Sequence, residues 1–331
     1  MSPDVFAGDD FEFDDSSEMS KTERVMAAVH GEPVDRLPVC FWHHFKPEGS
    51  GRKLADSTLG FFVESFDLDI VKVMPDIPYP FPHKSIESID DWRLLEPIDS
   101  ERSRYVQQRV QSVRLLREIL GPDTPIVMTV FSPLAELMYF ADEKSTAREQ
   151  AQQSPTVMHE ALNTIANNLQ AQIAAVIEAG ADGVFFALQG CTRAMMTEEL
   201  YREIGRPYDL IALSGAVNGW LNILHIHGES ELMFESVLDY PVDVLNWSDR
   251  LAGPSLREAR TKTSKCLMGG WHEFGALSNG PANAILDEAI DAVTQTNGRK
   301  FILANGCSVP DETDEEWLGI ARDVVDQLQL P

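Results

Sequence analysis

The chain has 331 residues, 44% of them hydrophobic, and a formal net charge of -26. This acidity argues against nucleic acid and anionic membranes as partners. No apolar run reaches the ~20 residues that span a bilayer, and the amino terminus lacks the basic and apolar segments of a secretory signal. We therefore expect a cytoplasmic protein whose four widely spaced cysteines are free thiols or metal ligands.

The amino-terminal segment differs in composition from the rest of the chain. Residues 1–18 combine acidic residues with Ser and Gly, a composition that predicts a disordered acidic tail. From Met19 the sequence follows an amphipathic helical pattern that ends at Gly31. No second break, repeat or linker follows, so residues 19–331 are predicted to form one catalytic domain.

Short apolar runs then alternate with helical patterns. Apolar strands separated by helices of ten or more residues favour parallel βαβ units over hairpins. Eight such strands fit a closed, TIM-like (β/α)8 barrel. A doubly wound open sheet is the alternative, but no Gly-rich dinucleotide fingerprint follows the first strand. The predicted strands cover residues 37–42, 69–74, 125–131, 183–188, 221–226, 242–247, 265–270 and 300–306, and the predicted helices cover 101–120, 155–180, 197–213, 229–239, 255–262, 281–296 and 314–329.

A barrel carries its chemistry at the carboxyl ends of its strands. Adjacent strand residues face opposite sides, so at most one histidine of a neighbouring pair there points into the pocket. Aromatic residues at such a rim serve either as pocket walls or as packing. In strand order, the candidates are His43 and His44, Asp76 and Tyr79, Ser132, Gln189, His225 and His227, Trp247, Trp271 and His272, and Cys307.

Four stretches of sequence carry a resemblance to a known family. They read ERVMAAVHGEPVDRLPV (23–39), DLDIVKVMPD (67–76), LHIHGE (224–229) and GRKFILANGCSVPDET (298–313). They resemble the uroporphyrinogen decarboxylase superfamily, and the likeness runs from about Met19 to the end of the chain. It implies a distorted (β/α)8 barrel of the uroporphyrinogen decarboxylase type. The superfamily contains metal-free decarboxylases and also zinc-dependent methyltransferases that move methyl groups between corrinoid proteins and thiols such as coenzyme M.

The decarboxylase branch fits the sequence poorly. Its members share an Arg-rich motif after the first strand, whose arginines bind the substrate's carboxylates. Here the corresponding residues read FWHHF (41–45), without an arginine. Asp69 lines up with the central Asp of the decarboxylases and is a candidate substrate-binding residue, although it equally fits the start of a strand. We predict that the chain is not a uroporphyrinogen decarboxylase.

The methyltransferase branch resembles the chain at its metal ligands, a His-x-Cys after the fifth strand and a Cys after the eighth. The resemblance implies that His225, His227 and Cys307 bind one zinc ion, with imidazole in place of one thiolate. An i, i+2 pair on an extended segment points both side chains the same way, and Gly228 lets the chain turn behind them. Two imidazoles and a thiolate suit zinc and leave one position open for a thiol or a water molecule.

Three hypotheses follow. The first is a zinc-dependent methyl or alkyl transferase that uses a thiol and a small methylated compound or a corrinoid, the latter supplied by a partner protein. The second is a decarboxylase-like lyase, or a hydrolase or lyase that activates water on a metal and acts on a small carboxylate or aromatic substrate. The third is a non-catalytic corrinoid- or metal-binding protein. Under the first, a homodimer is the expected assembly, the three ligands act with Asp76 in catalysis, and the substrate contacts His43, His44, Asp69, Tyr79, Ser132, Gln189, Trp247, Trp271 and His272.

Overall fold

A parallel sheet of eight strands forms the centre of the computed structural model, which describes residues 18–45, 50–75, 77–81, 86, 88–140, 149–150 and 153–330. The predicted acidic tail, apart from Glu18, and the candidate Asp76 lie outside these residues. The strands are β1 (Val39–Cys40), β2 (Val71–Val73), β3 (Ile126–Phe131), β4 (Gly183–Leu188), β5 (Ile223–Ile226), β6 (Val244–Trp247), β7 (Cys266–Trp271) and β8 (Phe301–Asn305).

The strand order defines a nearly closed barrel. Hydrogen-bonded neighbours follow the order β1-β8-β7-β6-β5-β4-β3-β2, and each of these pairs is parallel. Between β1 and β2, the Asp69 backbone N–H donates to the Val39 carbonyl oxygen at 3.0 Å. Because helices cover the outside and side chains fill the inside, the strands are buried on both faces, which explains their continuous apolar runs. The predicted (β/α)8 barrel and its eight strands are confirmed.

Helices connect the strands and cover the sheet. A π-helical segment (Gly60–Ser65) continues the second α-helix, and 3₁₀ helices lie at Ile89–Leu94, Gly121–Asp123, Ser214–Ala216, Phe234–Val237 and Val325–Gln327. No helix within the described ranges is long and apolar enough to cross a membrane. The α-helices are α1 (Lys21–His30), α2 (Gly51–Leu59), α3 (Arg104–Leu120), α4 (Pro133–Phe140), α5 (Pro155–Glu178), α6 (Glu198–Ile204), α7 (Arg206–Leu213), α8 (Leu256–Lys262), α9 (Ala276–Asn279), α10 (Ala282–Thr296) and α11 (Glu315–Val324).

Helix α1 has its sequence-predicted ends. Ser20 and Glu23 form a reciprocal capping box at its start. At its end Gly31 has a φ of 82°, in the left-handed region that favours glycine. The helix therefore begins and ends where the side-chain pattern indicated.

The predicted helix over 229–239 is wrong. An isolated antiparallel bridge pairs Thr192 with Leu232, and the Met233 backbone N–H donates to the Cys191 carbonyl oxygen at 3.0 Å. These contacts keep the first half of the segment out of a helix, and within the segment only the 3₁₀ helix Phe234–Val237 forms. The predicted helix over 197–213 is divided into α6 and α7 at Gly205, and α2, α4 and α9 were not predicted.

Candidate metal centre

Three side chains meet at the carboxyl ends of β5 and β8. His225 lies in β5, His227 directly follows it, and Cys307 lies two residues after β8. The Cys307 Sγ is 3.7 Å from the His225 Nε2 and 3.6 Å from the His227 Nδ1. All three ligand atoms lie within 4.8 Å of one another. The structure thus brings together the three residues that the sequence nominated as metal ligands.

Asn246 on β6 orients the His225 ring. The Asn246 side-chain NH2 donates to the Met268 and Asn305 carbonyl oxygens, both at 3.0 Å. Its amide oxygen therefore faces the His225 Nδ1 at 2.6 Å and accepts a hydrogen bond from it. With its proton on Nδ1, the ring presents the lone pair of Nε2 towards Cys307.

The loop that carries Cys307 is held close to β6. The Asn305 side-chain NH2 donates to the Cys307 carbonyl oxygen at 2.6 Å and to the Trp42 carbonyl oxygen at 3.1 Å. A Cβ atom on Gly306 would lie 2.4 Å from the Cα of Ser248, so only glycine allows this approach. Behind His227, Gly228 has a φ of 155° and turns the chain away from the cluster.

The donor set fits zinc. Zinc prefers nitrogen and sulfur ligands, with Zn–N distances of ~2.0–2.1 Å and Zn–S distances of ~2.3 Å. In a tetrahedral site these lengths give an N···S separation of roughly 3.6 Å. The Cys307 Sγ lies 3.7 and 3.6 Å from the two histidine nitrogens, in agreement with that value. The arrangement needs no large rearrangement to accept the ion.

Burial favours the neutral forms of Cys307 and His225. It raises the pKa of the Cys307 thiol to about 11, with a further rise from Glu273. It lowers the pKa of His225 to about 3, and His227 lowers it further. The ammonium of Lys72, which is buried 4.5 Å from the centroid of the Phe185 ring, opposes protonation of the His225 imidazole and favours ionisation of the Cys307 thiol.

A cavity of about 210 Å³ opens beside the ligand cluster. Of the residues predicted to bind substrate, His44 and Gln189 line it, and the Gln189 amide donates to the Tyr139 hydroxyl at 2.9 Å. Phe185 forms one wall, stacked on the His225 ring with the centroids 5.3 Å apart. The other lining residues are Trp42, Lys72, Met74, Thr129, Phe131, Ala187 and Ser308.

A second cavity, of about 360 Å³, adjoins the first and shares His44, Thr129, Phe131 and Tyr139 with it. Arg109 of α3, Glu136 of α4 and Gln172 of α5 contribute polar side chains. Burial raises the pKa of the Glu136 carboxyl to about 8. The remaining wall is apolar or aromatic and contains Pro75, Ile77, Pro78, Tyr105, Val130 and Phe140.

Several candidates lie away from both cavities. The His43 ring packs against Phe45 and Phe61, with its Nδ1 4.0 Å from an Asp311 oxygen. As expected from strand alternation, only its neighbour His44 faces the cavities. Asp69 lies at the opposite end of the barrel, two residues before β2.

The other candidates have packing or hydrogen-bonding roles. The Tyr79 hydroxyl accepts a hydrogen bond from Asn168 at 2.5 Å, and the Ser132 hydroxyl accepts one from the Ala135 N–H at the start of α4. The indoles of Trp247 and Trp271 are fully buried and donate to the Pro254 and Ile285 carbonyl oxygens. The His272 Nδ1 accepts from the Phe274 backbone N–H in the loop after β7.

Sequence reasoning missed the polar groups that surround the cluster. Asn246 precedes the nominated Trp247, and it faces inwards because β5 and β6 pair His225 with Asn246. Lys72 interrupts an apolar strand and Glu136 interrupts an apolar helix, and each lone charge was a usable signal. Arg109 lies among other polar residues of α3, so its local sequence contained no such signal.

The fold and the cluster define a (β/α)8 barrel with a three-ligand candidate metal centre at its carboxyl rim. The family model described as uroporphyrinogen decarboxylase (URO-D) matches residues 63–328, and the chain belongs to this family. It is 23% identical over 343 residues to the methylcobamide:CoM methyltransferase MtaA of Methanosarcina barkeri, covering 91% of this chain and 96% of that protein. The predicted family is confirmed, and the similarity to this methyltransferase supports the predicted methyltransferase-like branch.

Solved structures show the same fold. A methyltransferase from Methanosarcina mazei superposes with a TM-score of 0.78 at 20% identity, covering 94% of this chain and 99% of that one. A B12-independent methionine synthase from a Shewanella species superposes with a TM-score of 0.60 at 13% identity, covering 88% and 98%. The barrel is therefore shared across most of the chain.

Proposed function

We propose that the chain is a zinc-dependent transferase that moves a methyl or other small alkyl group, with a thiol as one reactant. The observation that supports this proposal most directly is the cluster of His225, His227 and Cys307, which lies beside a cavity. Asn246 sets the tautomer of the His225 ring. The relatives named methylcobamide:CoM methyltransferase support the same reaction class. Zinc held by these three residues would supply a Lewis acid that lowers the pKa of a coordinated thiol.

The proposed transfer is a nucleophilic displacement at the alkyl carbon. The thiol releases its proton to solvent, and a sulfur lone pair forms a new bond to the alkyl carbon. The bond between that carbon and its donor breaks, and its electron pair stays with the donor. The donor is a methylated corrinoid on a partner protein or a small methylated compound. His44 and Gln189 contact it from the cavity wall. Asp76, which the sequence predicts to act in catalysis, is also part of this proposal.

Metal analysis tests the ligand set. Protein purified without chelator is expected to contain about one zinc per chain, as a three-ligand site requires. The double variant His225→Ala/Cys307→Ser is expected to lose it. Cys266→Ser is the matched control, because Cys266 is a fully buried thiol at the start of β7. Stoichiometric zinc in the double variant would place the metal site elsewhere.

X-ray absorption with a panel of small thiols tests the role of the metal. We expect one sulfur at zinc without a thiol and two with a bound thiol, both at ~2.3 Å. Proton release on thiol binding should accompany the change. If the sulfur count stays at one for every thiol while some substrate turns over, the thiol mechanism is wrong. Metal-activated water would then be the better account.

A further inference from the structure

The larger cavity beside the ligand cluster has a mostly apolar wall and a small polar region. Its volume is about 360 Å³, and it joins the cluster's own cavity at His44, Thr129, Phe131 and Tyr139. The aromatic wall suits the apolar body of a small molecule. The shared residues allow one molecule to reach from this cavity to the cluster.

Three of the lining side chains carry buried polar atoms with no hydrogen-bond partner in the described part of the chain. These atoms are the Arg109 Nε, the Thr129 Oγ1 and the Gln172 Oε1. The three residues are 3%, 2% and 1% exposed. An unsatisfied buried polar atom costs folding free energy, so native structures contain few of them. The Arg109 N–H and the Thr129 hydroxyl are donors that acceptor oxygens of a ligand would satisfy, and the Gln172 amide can present its NH2 in place of its oxygen by rotating about its last side-chain bond.

The polar region has a net positive charge. The Arg109 Nη1 donates to the Tyr105 carbonyl oxygen at 2.7 Å and the Nη2 to the Ile77 carbonyl oxygen at 3.0 Å. The guanidinium lies 3.8 Å from the centroid of the Tyr105 ring, so its position is constrained. Because the pKa of Glu136 is raised to about 8, its carboxyl is largely protonated at neutral pH and does not cancel this charge.

We propose that this cavity binds the head group of a small organic carboxylate with an apolar or aromatic body, which extends towards the ligand cluster. The carboxylate accepts hydrogen bonds from Arg109 and Thr129, and the amide of Gln172 donates to it after a rotation of its side chain. A charge-assisted bond to arginine supplies most of the selectivity for an anion. The proposal rests on the proposed function only in identifying this molecule as the alkyl-transfer substrate, since carboxylate binding itself needs no metal.

Three probes of nearly equal size test the charge preference of the wild-type protein. Benzoate, benzamide and benzamidinium carry charges of about -1, 0 and +1 at neutral pH, and calorimetric titration compares their affinities. We expect benzoate to bind at least about tenfold more tightly than benzamide, and benzamidinium not to bind. Equal affinities for benzoate and benzamide, absence of benzoate binding, or tightest binding of benzamidinium would each overturn the proposal.

Variants locate the bound probe. Arg109→Gln should lower the affinity for benzoate to that for benzamide, whereas Glu136→Gln, a neutral isostere of the protonated acid, should retain benzoate binding. Melting curves verify that each variant folds. If Arg109→Gln fails to fold, the relative affinities of the wild-type protein for the three probes still test the proposal.

A metal-site variant separates this proposal from the proposed function. His227→Ala is expected to bind less zinc and yet bind benzoate as the wild type does. Loss of benzoate binding in this variant would place the carboxylate on the metal and overturn the proposal. Wild-type protein that binds benzoate but contains no zinc would contradict the metal assignment alone.

Discussion

At the scale of single residues, Asn246 orients one of the three candidate metal ligands, His225, without being a candidate ligand itself. Asn246 is fully buried, and both of its amide hydrogens donate to backbone carbonyl oxygens. Only its oxygen remains for the His225 Nδ1, so the barrel core selects the tautomer of the ligand. A ring with the opposite tautomer would present an N–H to the ion and bind no metal.

We predict that Asn246→Ala raises the dissociation constant for zinc about 10–100-fold, because the His225 ring loses its orienting acceptor. Competition with a chromophoric chelator measures this constant. The matched control is Asn222→Ala. Asn222 lies directly before β5, at the amino-terminal end of that strand, and its buried amide also donates to two backbone carbonyl oxygens. Similar zinc affinities in the two variants would mean that Asn246 acts only on stability.

At the scale of elements, the Asp69 side chain adds to the backbone hydrogen bond that joins β1 to the segment before β2. Asp69 is fully buried and accepts hydrogen bonds from Arg24 and Arg36, each at 2.7 Å, and from the Val39 backbone N–H at 2.8 Å. It therefore links α1, the loop before β1 and the segment before β2. This position explains why an aspartate opens the second predicted strand.

Asp69→Ala should lower the free energy of unfolding by about 3–5 kcal/mol, because it removes the fully buried carboxylate that pairs with both Arg24 and Arg36. Asp35→Ala should cost less, since Asp35 binds the same Arg24 but its side chain is 27% exposed. Denaturant titration compares the two variants. Zinc content should be unchanged in both, because this cluster lies at the opposite end of the barrel; a specific loss of zinc in Asp69→Ala would contradict this placement.

A buried carboxyl group also joins α6 and α7. Asp209 of α7 accepts hydrogen bonds from the hydroxyls of Tyr201, at 2.8 Å, and Tyr240, at 2.9 Å. Burial raises the pKa of Asp209 to about 7, although both tyrosine hydrogen bonds oppose the rise. Because an unfolded aspartate has a pKa near 3.9, the folded chain binds more protons than the unfolded chain between these values.

The stabilising contribution of Asp209 is therefore complete below about pH 4 and is lost as the pH rises to about 7, with a slope of up to about 1.4 kcal/mol per pH unit. In Asp209→Asn, the free energy of unfolding should decrease less steeply with rising pH over this range. Asp239→Asn is the control. Asp239 is an exposed carboxylate, and its hydrogen bond with Arg206 lowers the pKa of the Asp239 carboxyl. An unchanged slope in Asp209→Asn would show that Asp209 does not titrate there.

For the whole molecule, metal binding and folding should be coupled, because the ligands come from strands β5 and β8, about 80 residues apart, and meet only in the folded barrel. Removing zinc with a chelator should lower the Tm. Free zinc at 100 times its dissociation constant contributes about 2.7 kcal/mol. Each kcal/mol shifts the Tm by about 2–4 °C in domains somewhat smaller than this one.

The variant His225→Ala/Cys307→Ser should melt at the same temperature with and without the chelator. Differential scanning calorimetry on both proteins checks the expected difference. A chelator effect of equal size in the double variant would indicate a second metal site or direct action of the chelator on the protein.

The sequence by itself determined the barrel and the three candidate ligands. Strands buried on both faces need continuous apolar runs, and these marked all eight strands. Parallel strands bring their carboxyl ends to one rim, so His225, His227 and Cys307 were expected to meet there. Alternation predicted that at most one of His43 and His44 enters the pocket, but only the structure shows that His44 lines the cavities and His43 packs outside them.

Only the tertiary structure decided which side chains surround the centre. Register between neighbouring strands places Asn246, rather than Trp247, opposite His225, and a shift by one residue would reverse that assignment. Arg109, Glu136 and Gln172 come from three separate helices and meet in one cavity. Their meeting depends on how α3, α4 and α5 pack against the strands, and no periodicity within a single segment of the chain contains that information.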